Sequence, residues 1–351
     1  MRAAYLSFDT VPAPKGAATH ITAFARALAS AFGRVDLVTV GTAESHTERW
    51  PGVCHTELTA LGRSLIDRVL HFRKHLERWL STRSFDIVQF RSIFEGMPLL
   101  RLDPRPRLIF EVNGLPSIEL KYRYPRAADD RVLMGKIVAQ EQACLAAADR
   151  IVTPSSVTAQ YLERRRVDPA KIHVIPNGVD TGLFHPCEAP RTEVRLLYFG
   201  TLASWQGVDL AERAAALSGA SLGIFGGETS VSQELLVQEL HRSFAVLAPL
   251  TLNDRNLLQG CCPLKILEGM AAGVPVIASD LPVVRELGEH DRHFLLVKPN
   301  SVDQIAAAVV RLREDQALWC SLATNGRARV LEKFTWERAA RELVNAYDLL
   351  S

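Results

Sequence analysis

The sequence predicts an α/β protein of two domains, each a parallel sheet covered by helices on both faces. Three observations lead there. Short β-branched runs alternate with longer segments of helical period along most of the chain, the mark of repeated strand–helix–strand units. The chain has 351 residues, enough for two domains with their own cores. The alternation breaks once, in the irregular, Pro-bearing stretch 181–191, and resumes with a strand that ends in Gly200.

The first series has strands at 2–8, 35–40, 86–90, 108–112, 151–153 and 172–175, with helices at 18–32, 65–80 and 130–148. The second has strands at 195–199, 221–225, 246–249, 274–278 and 294–297, with helices at 210–217, 263–272 and 301–314. The stretch 228–243 has room for a single helix, so the second domain is abbreviated. The boundary falls near 180–192, giving domains at 1–180 and 192–334. Ligands of such sheets lie at the carboxyl ends of the strands, so the cleft between the domains is the expected site.

Composition narrows the function classes. An apolar fraction of 48% is that of a folded globular chain. Lys plus Arg number 41 against 39 for Asp plus Glu, which argues against a general nucleic-acid binder and leaves anion binding to a local pocket. No signal peptide is expected at the N-terminus and no apolar run reaches the ~20 residues of a spanning helix. Six Cys without C-x-x-C or zinc spacing fit reduced thiols in a cytoplasm. The helix at 65–80 pairs Leu65, Ile66, Val69, Leu70, Leu76 and Trp79 with Arg63, Arg68, Arg73, Lys74 and Arg78. That pattern suits a sheet-covering helix with a wet face, or a peripheral contact with anionic lipid at the inner face of a membrane.

The segment 263–279 carries the most chemistry. Pro263 suits the first helical position and Gly273 the stop. The orphan amides of that N-terminus favour an anion, and Lys265 adds a full charge within the first turn. Glu268, about one turn on, can accept hydrogen bonds from a vicinal diol. The spacing reads as a phosphate-and-ribose site, although an ordinary βαβ helix can carry the same residues on its wet face.

The segment closely resembles the donor-binding motif of the family 4 retaining glycosyltransferases, which have the GT-B fold of two Rossmann-like domains facing a cleft. Further matches fall in order along the chain. Lys15-Gly16 with His20 resembles the Gly-containing loop after the first strand, and Val174 through Asp180 (V-I-P-N-G-V-D) the interdomain signature. Tyr198-Phe199-Gly200-Thr201-Leu202, then Gln206-Gly207-Val208-Asp209, resembles the first strand and loop of the second domain. The segment 335–351 is similar to the final helix that returns to the first domain.

The resemblance implies a nucleotide-sugar donor, a hydroxyl acceptor (glycan, lipid-linked or small molecule), no other cofactor and no metal; Asp-x-Asp is absent. It implies donor contacts from Gly16, Gly200, Thr201, Gln206, Gly260, Cys262, Leu264, Lys265, Ile266 and Glu268. There are departures. The family's first motif glutamate falls on Gly260, and its diphosphate-binding Arg and Lys fall on Thr201 and Gln206. Lys265 is therefore expected as the main phosphate ligand, assisted by Arg255 and the 261–265 amides. Asn113 stands where many relatives have a His near the reacting sugar, His20 is expected beside the cleft, and both join Lys265 and Arg255 as the expected catalytic residues. Asn cannot shuttle a proton near neutral pH, so general-base chemistry is not expected of Asn113. Two other classes compete: a GT-B-like sugar-nucleotide epimerase and a catalytically weak nucleotide-sugar-binding protein.

Overall fold

The computed structural model describes residues 1–187 and 193–348. The first half runs β1 (Ala3–Leu6), α1 (Gly16–Phe32), β2 (Val35–Gly41), β3 (Ser45–Trp50), β4 (Val53–Thr59), α2 (Leu65–Ser81), β5 (Ile87–Phe90) and α3 (Ile93–Leu99). It continues with β6 (Arg107–Glu111), α4 (Pro116–Arg123), α5 (Pro125–Ala128), α6 (Arg131–Ala147), β7 (Arg150–Thr153), α7 (Ser156–Arg164) and β8 (Ile172–Val174). The second half begins with β9 (Arg195–Phe199), α8 (Val208–Ser218), β10 (Ser221–Phe225), α9 (Gln233–His241), β11 (Ala245–Ala248), α10 (Asp254–Leu258) and α11 (Leu264–Ala271). It ends with β12 (Val276–Ser279), α12 (Pro282–Arg285), β13 (Leu295–Val297), α13 (Val302–Glu314), α14 (Gln316–Lys333) and α15 (Trp336–Asp348).

Two sheets result. The first has eight strands in the order β3-β4-β2-β1-β5-β6-β7-β8, the second five in the order β10-β9-β11-β12-β13. All pairings are parallel except β3 with β4. Strand periodicity divides the cores: along β1, Ala3 and Tyr5 enter the core shared with α1, while Ala4 and Leu6 enter the core with α2 and α6. The second sheet does the same, with Leu196 and Tyr198 on one face and Leu197 and Phe199 on the other. This is the two-lobed α/β architecture expected from the sequence, with the smaller sheet in the second lobe. The stretch between β10 and β11 holds one α-helix, α9, after a single 3-10 turn at Gly227–Thr229.

Some elements differ from expectation. The hairpin β3–β4 was not expected, because β3 (Ser-His-Thr-Glu-Arg-Trp) is almost wholly solvent-facing and lacks an apolar period. The sequence names no helix over 316–333 either; α14 buries only Leu322, Gly326 and Val330, too thin a stripe to read. Pro263 is not the first helical residue: with ψ 110° it stands outside α11, and its carbonyl accepts the Ile266 amide at 3.1 Å. Helix α15 packs on α1, burying Ala339, Leu343, Ala346 and Tyr347 in the core of the first sheet. Residues 188–192, inside the expected boundary, and 349–351 lie outside the described residues. Among the described residues no helix is long and apolar enough to cross a membrane. Helix α2 covers the first sheet through Val69, Phe72, Leu76, Trp79 and Leu80, and leaves Ile66 and Leu70 exposed.

Candidate active site

Each sheet has one point where the strand order reverses, and such points open a crevice at the strand ends. In the first sheet it lies between β1 and β5; in the second, between β9 and β11. The two crevices meet: a Cβ at Gly16, the first residue of α1, would stand 3.0 Å from Leu264 Cδ1, the first residue of α11. A side chain at 16 would press on the Leu264 methyl.

On the second-lobe side, Lys265 and Glu268 lie one turn apart on α11 and are both buried, with 7% and 8% exposure. A solvated helix face, the alternative reading of this spacing, is thereby ruled out. Lys265 Nζ donates to Gln206 Oε1 at 2.8 Å and stands 3.9 Å from the centre of the Tyr198 ring. Burial lowers the Lys265 pKa to about 7 against the pull of Glu268, and burial raises Glu268 to about 7 against the pull of Lys265. Gly200, with φ +113°, passes beside Lys265, so that a Cβ there would lie 3.7 Å from Cε. Thr201 is exposed, and its carbonyl accepts the Tyr198 hydroxyl at 2.6 Å.

The other expected donor residues are placed less directly. Ile266 is wholly buried in the core and its amide is bonded to Pro263, so it serves α11 rather than a ligand. Gly260 is a packed backbone position: a Cβ there would stand 2.5 Å from Val283 Cβ, and its carbonyl accepts Ser155 Oγ at 2.5 Å and Thr158 Oγ1 at 3.2 Å. Cys262 is buried, its thiol pushed up to about 12 by desolvation, and its carbonyl accepts Asn177 Nδ2 at 2.7 Å. Arg255 is compensated already. Its guanidinium contacts Glu119 at 3.1 Å, Asn256 at 3.1 Å and Cys261 Sγ at 3.3 Å, and lies over the Trp205 ring at 4.9 Å.

On the first-lobe side, Glu111 at the end of β6 is the hub. Its carboxylate accepts Tyr5 Oη at 2.6 Å, Gln89 Nε2 at 2.7 Å, Arg91 Nε at 2.9 Å and the Asn113 amide nitrogen. Burial pushes its pKa up, but Arg91, His20 and the Tyr5 hydroxyl hold it well below the usual carboxylate range. His20 Nε2 stands 2.9 Å from Glu111 Oε1, an ion-pair distance. His20 Nδ1 faces Asn177 Oδ1 at 2.7 Å; since Asn177 donates through Nδ2 to Cys262, His20 Nδ1 is the donor in that pair. Glu111, His20, Asn177 and the Cys262 carbonyl thus form a chain from the floor of the first crevice to the loop before α11. Asn113 is turned to Glu111, and its carbonyl accepts the Cys261 thiol at 3.0 Å.

The sequence assigns no role to Glu111 or Trp205, and places Asn177 and Tyr198 only within motifs. Glu111 left a signal, an acid ending an apolar strand, where acids are depleted. Among the described residues no group of three or more His, Cys, Asp or Glu could hold a metal ion.

Residues 14–183 match the model "Glycosyltransferase Family 4" and residues 188–315 the model "Glycosyl transferases group 1". An MMP α-(1→4)-mannosyltransferase from Mycolicibacterium hassiacum is 30% identical over 220 residues, covering 56% of this chain and 53% of that protein. The chain thus aligns with about half the length of that relative. The fold is shared with a sucrose-phosphate synthase from Thermosynechococcus elongatus (TM-score 0.83, 21% identity, covering 100% of this chain and 99% of that one). It is shared also with Anabaena HepE in complex with UDP and glucose (TM-score 0.74, 12% identity, covering 99% of this chain and 100% of that one).

Proposed function

Starting from a GT-B-fold chain related to the family 4 and group 1 glycosyltransferases, we propose that it moves a sugar from a nucleoside-diphosphate donor to a hydroxyl acceptor, with retention. The observation that carries this reading is the buried Lys265–Glu268 turn of α11 at the switch point of the second sheet, facing Gly16 across the cleft. A mannosyl transferase among the relatives and UDP in a structural neighbour support the same class of donor.

In this reading the N-terminal turn of α11 and the Lys265 ammonium receive the diphosphate. Glu268 accepts hydrogen bonds from the ribose diol. Gly16 and Gly200 let the backbone approach the phosphates where a side chain would intrude. The acceptor hydroxyl attacks the anomeric carbon from the face the diphosphate leaves. The bond from that carbon to the phosphate oxygen breaks, and the departing oxygen takes the hydroxyl proton. The protein's part is to stabilise charge growing on the leaving group through groups already in place. Removing one such donor costs about 3–4 kcal/mol in the transition state. Lys265 does this work. Arg255, paired with Glu119, holds Trp205 and the loop at 259–262 rather than supplying a second free charge. His20 and Asn113, both turned to Glu111, shape the acceptor side. The exposed Ile66–Leu70 stripe of α2 leaves room for a lipid-linked acceptor to be presented at a membrane surface.

The test is incubation with a panel of nucleotide sugars, with and without acceptor extracts, detecting free nucleotide and the anomeric configuration of the product. Acceptor-dependent release with retention is expected. An epimerised donor without transfer would establish the epimerase class, and binding without release the weak binder. Thermal shifts with UDP or GDP are expected in the presence of EDTA; shifts only with magnesium or manganese would contradict leaving-group stabilisation by Lys265.

A further inference from the structure

The Lys265 ammonium is held by two uncharged partners, the Gln206 amide oxygen at 2.8 Å and the face of Tyr198 at 3.9 Å from the ring centre. The phenol itself is engaged elsewhere, donating to the Thr201 carbonyl. What the cation meets is therefore the negative face of the ring. Tyr198 is wholly buried at the end of β9, so that face is fixed. Gly200 then brings the backbone past Lys265, and the 3-10 turn Ser204–Gln206 returns with the amide. Three positions of one strand-to-helix connection, 198, 200 and 206, form a socket for an ammonium carried by α11.

The charged surroundings are few. Glu268 on the same helix is the carboxylate that acts on Lys265. β9 contributes Tyr198, with burial pushing its phenol up, and at its start Arg195, which is paired with Glu239 at 2.5 Å. The 204–206 turn contributes the neutral Gln206, and Arg255 of α10 is turned to Glu119 and Trp205. A desolvated ammonium with so little compensation sheds its proton readily unless something neutral but electron-rich faces it.

We infer that Tyr198 is a positioning residue of the proposed transfer: its ring face, with Gln206, keeps the Lys265 ammonium charged and aimed at the place where the diphosphate departs. The inference rests on the nucleotide-sugar reading. Tyr198 touches no substrate and acts through Lys265.

The experiment is calorimetric titration of the full chain with UDP and GDP and with the matching nucleosides, from about pH 6 to 9, around the range where a desolvated Lys titrates. Wild type, Tyr198→Phe and Tyr198→Leu are compared. In wild type the diphosphate's advantage over the nucleoside should shrink as rising pH neutralises Lys265. Tyr198→Leu should move that loss to lower pH and weaken diphosphate binding about 3- to 30-fold near neutrality, the span of a desolvated cation–π contact. Nucleoside affinity should hold. Tyr198→Phe, which keeps the face and drops the hydroxyl, should follow wild type. If Tyr198→Leu does not fold, a ring-fluorinated phenylalanine at 198 keeps the volume, drains the face and must show the same acid shift. An unmoved pH profile in the leucine or fluorinated variant overturns the inference, as does Tyr198→Phe behaving like Tyr198→Leu. Should wild type bind diphosphates no better than nucleosides, the nucleotide-sugar reading itself fails.

Discussion

Lys265 and Glu268 sit in the protein at a cost, and the sign of that cost can be worked out. Glu268 titrates near 7 in the folded chain against 4.5 ordinarily, so its contribution to stability is lost as pH rises from 4.5 to 7. Lys265 titrates near 7 against 10.5, so its contribution is lost as pH falls from 10.5 to 7. Both losses are felt together near pH 7. The double variant Lys265→Met/Glu268→Gln is expected to melt above wild type at pH 7, with the gap narrowing toward pH 4.5 and pH 10.5. Scanning fluorimetry across pH checks this, and a gap independent of pH would contradict it. Function should move the other way. Lys265→Ala should weaken binding increasingly along nucleoside, monophosphate and diphosphate, and depress turnover beyond its effect on binding. Equal losses along the series would remove Lys265 from the phosphate role.

At the scale of elements, the loop between α10 and α11 is locked from both sides. The family resemblance places a motif glutamate at the position of Gly260, and introducing that residue tests whether the site can accept it. Val283 of α12 fills the space, so Gly260→Glu should destabilise by about 1–3 kcal/mol through overpacking and should not improve nucleotide binding. Val283→Ala in the same chain should recover part of the loss, measured by denaturant unfolding. A stable Gly260→Glu variant with tighter nucleotide binding would show that the packing yields. In the proposed transfer Lys265 takes up the charge that Thr201 and Gln206 do not carry, with Gln206 bonded to its ammonium.

Across the whole molecule, many polar contacts tie the lobes together. Leu115 N donates to Gln259 Oε1 at 2.5 Å, and Lys121 and Tyr122 of α4 bind Asp254 of α10. Glu286 accepts the Ser156 and Val157 amides at 3.2 and 3.0 Å, so a carboxylate of the second lobe caps α7 of the first. Polar interfaces of this kind permit relative domain motion. The double variant Asp254→Asn/Glu286→Gln should raise the radius of gyration seen by small-angle scattering above that of wild type and bring the lobes closer to unfolding in separate calorimetric transitions. A scattering profile and transition identical to wild type would show that the remaining contacts, among them Ser155 with Gly260, Asn177 with Cys262 and Arg255 with Glu119, suffice to couple the lobes.

The sequence by itself determined the two-lobed α/β architecture, the short second sheet and the helix that carries Lys265 and Glu268 one turn apart. These rest on local signals: strand and helix periods, Pro263 and Gly273 as punctuation, and the spacing of Lys265 and Glu268 on one helix. The hairpin β3–β4 stayed hidden because an exposed polar edge strand has no apolar period. Only the tertiary structure decided which charges are available. Arg255 and Lys265 look alike in the sequence, as cations near one loop; folding brings Glu119, from 136 positions away, onto Arg255 and sets neutral Gln206 and Tyr198 against Lys265. Likewise Gly260 reads as a missing side chain until Val283 is seen to fill its place. Local pattern fixes where a helix begins and which residues share its face. Whether a charge there is solvated, paired or stripped of partners depends on what distant segments bring to it, and that is decided when the lobes pack.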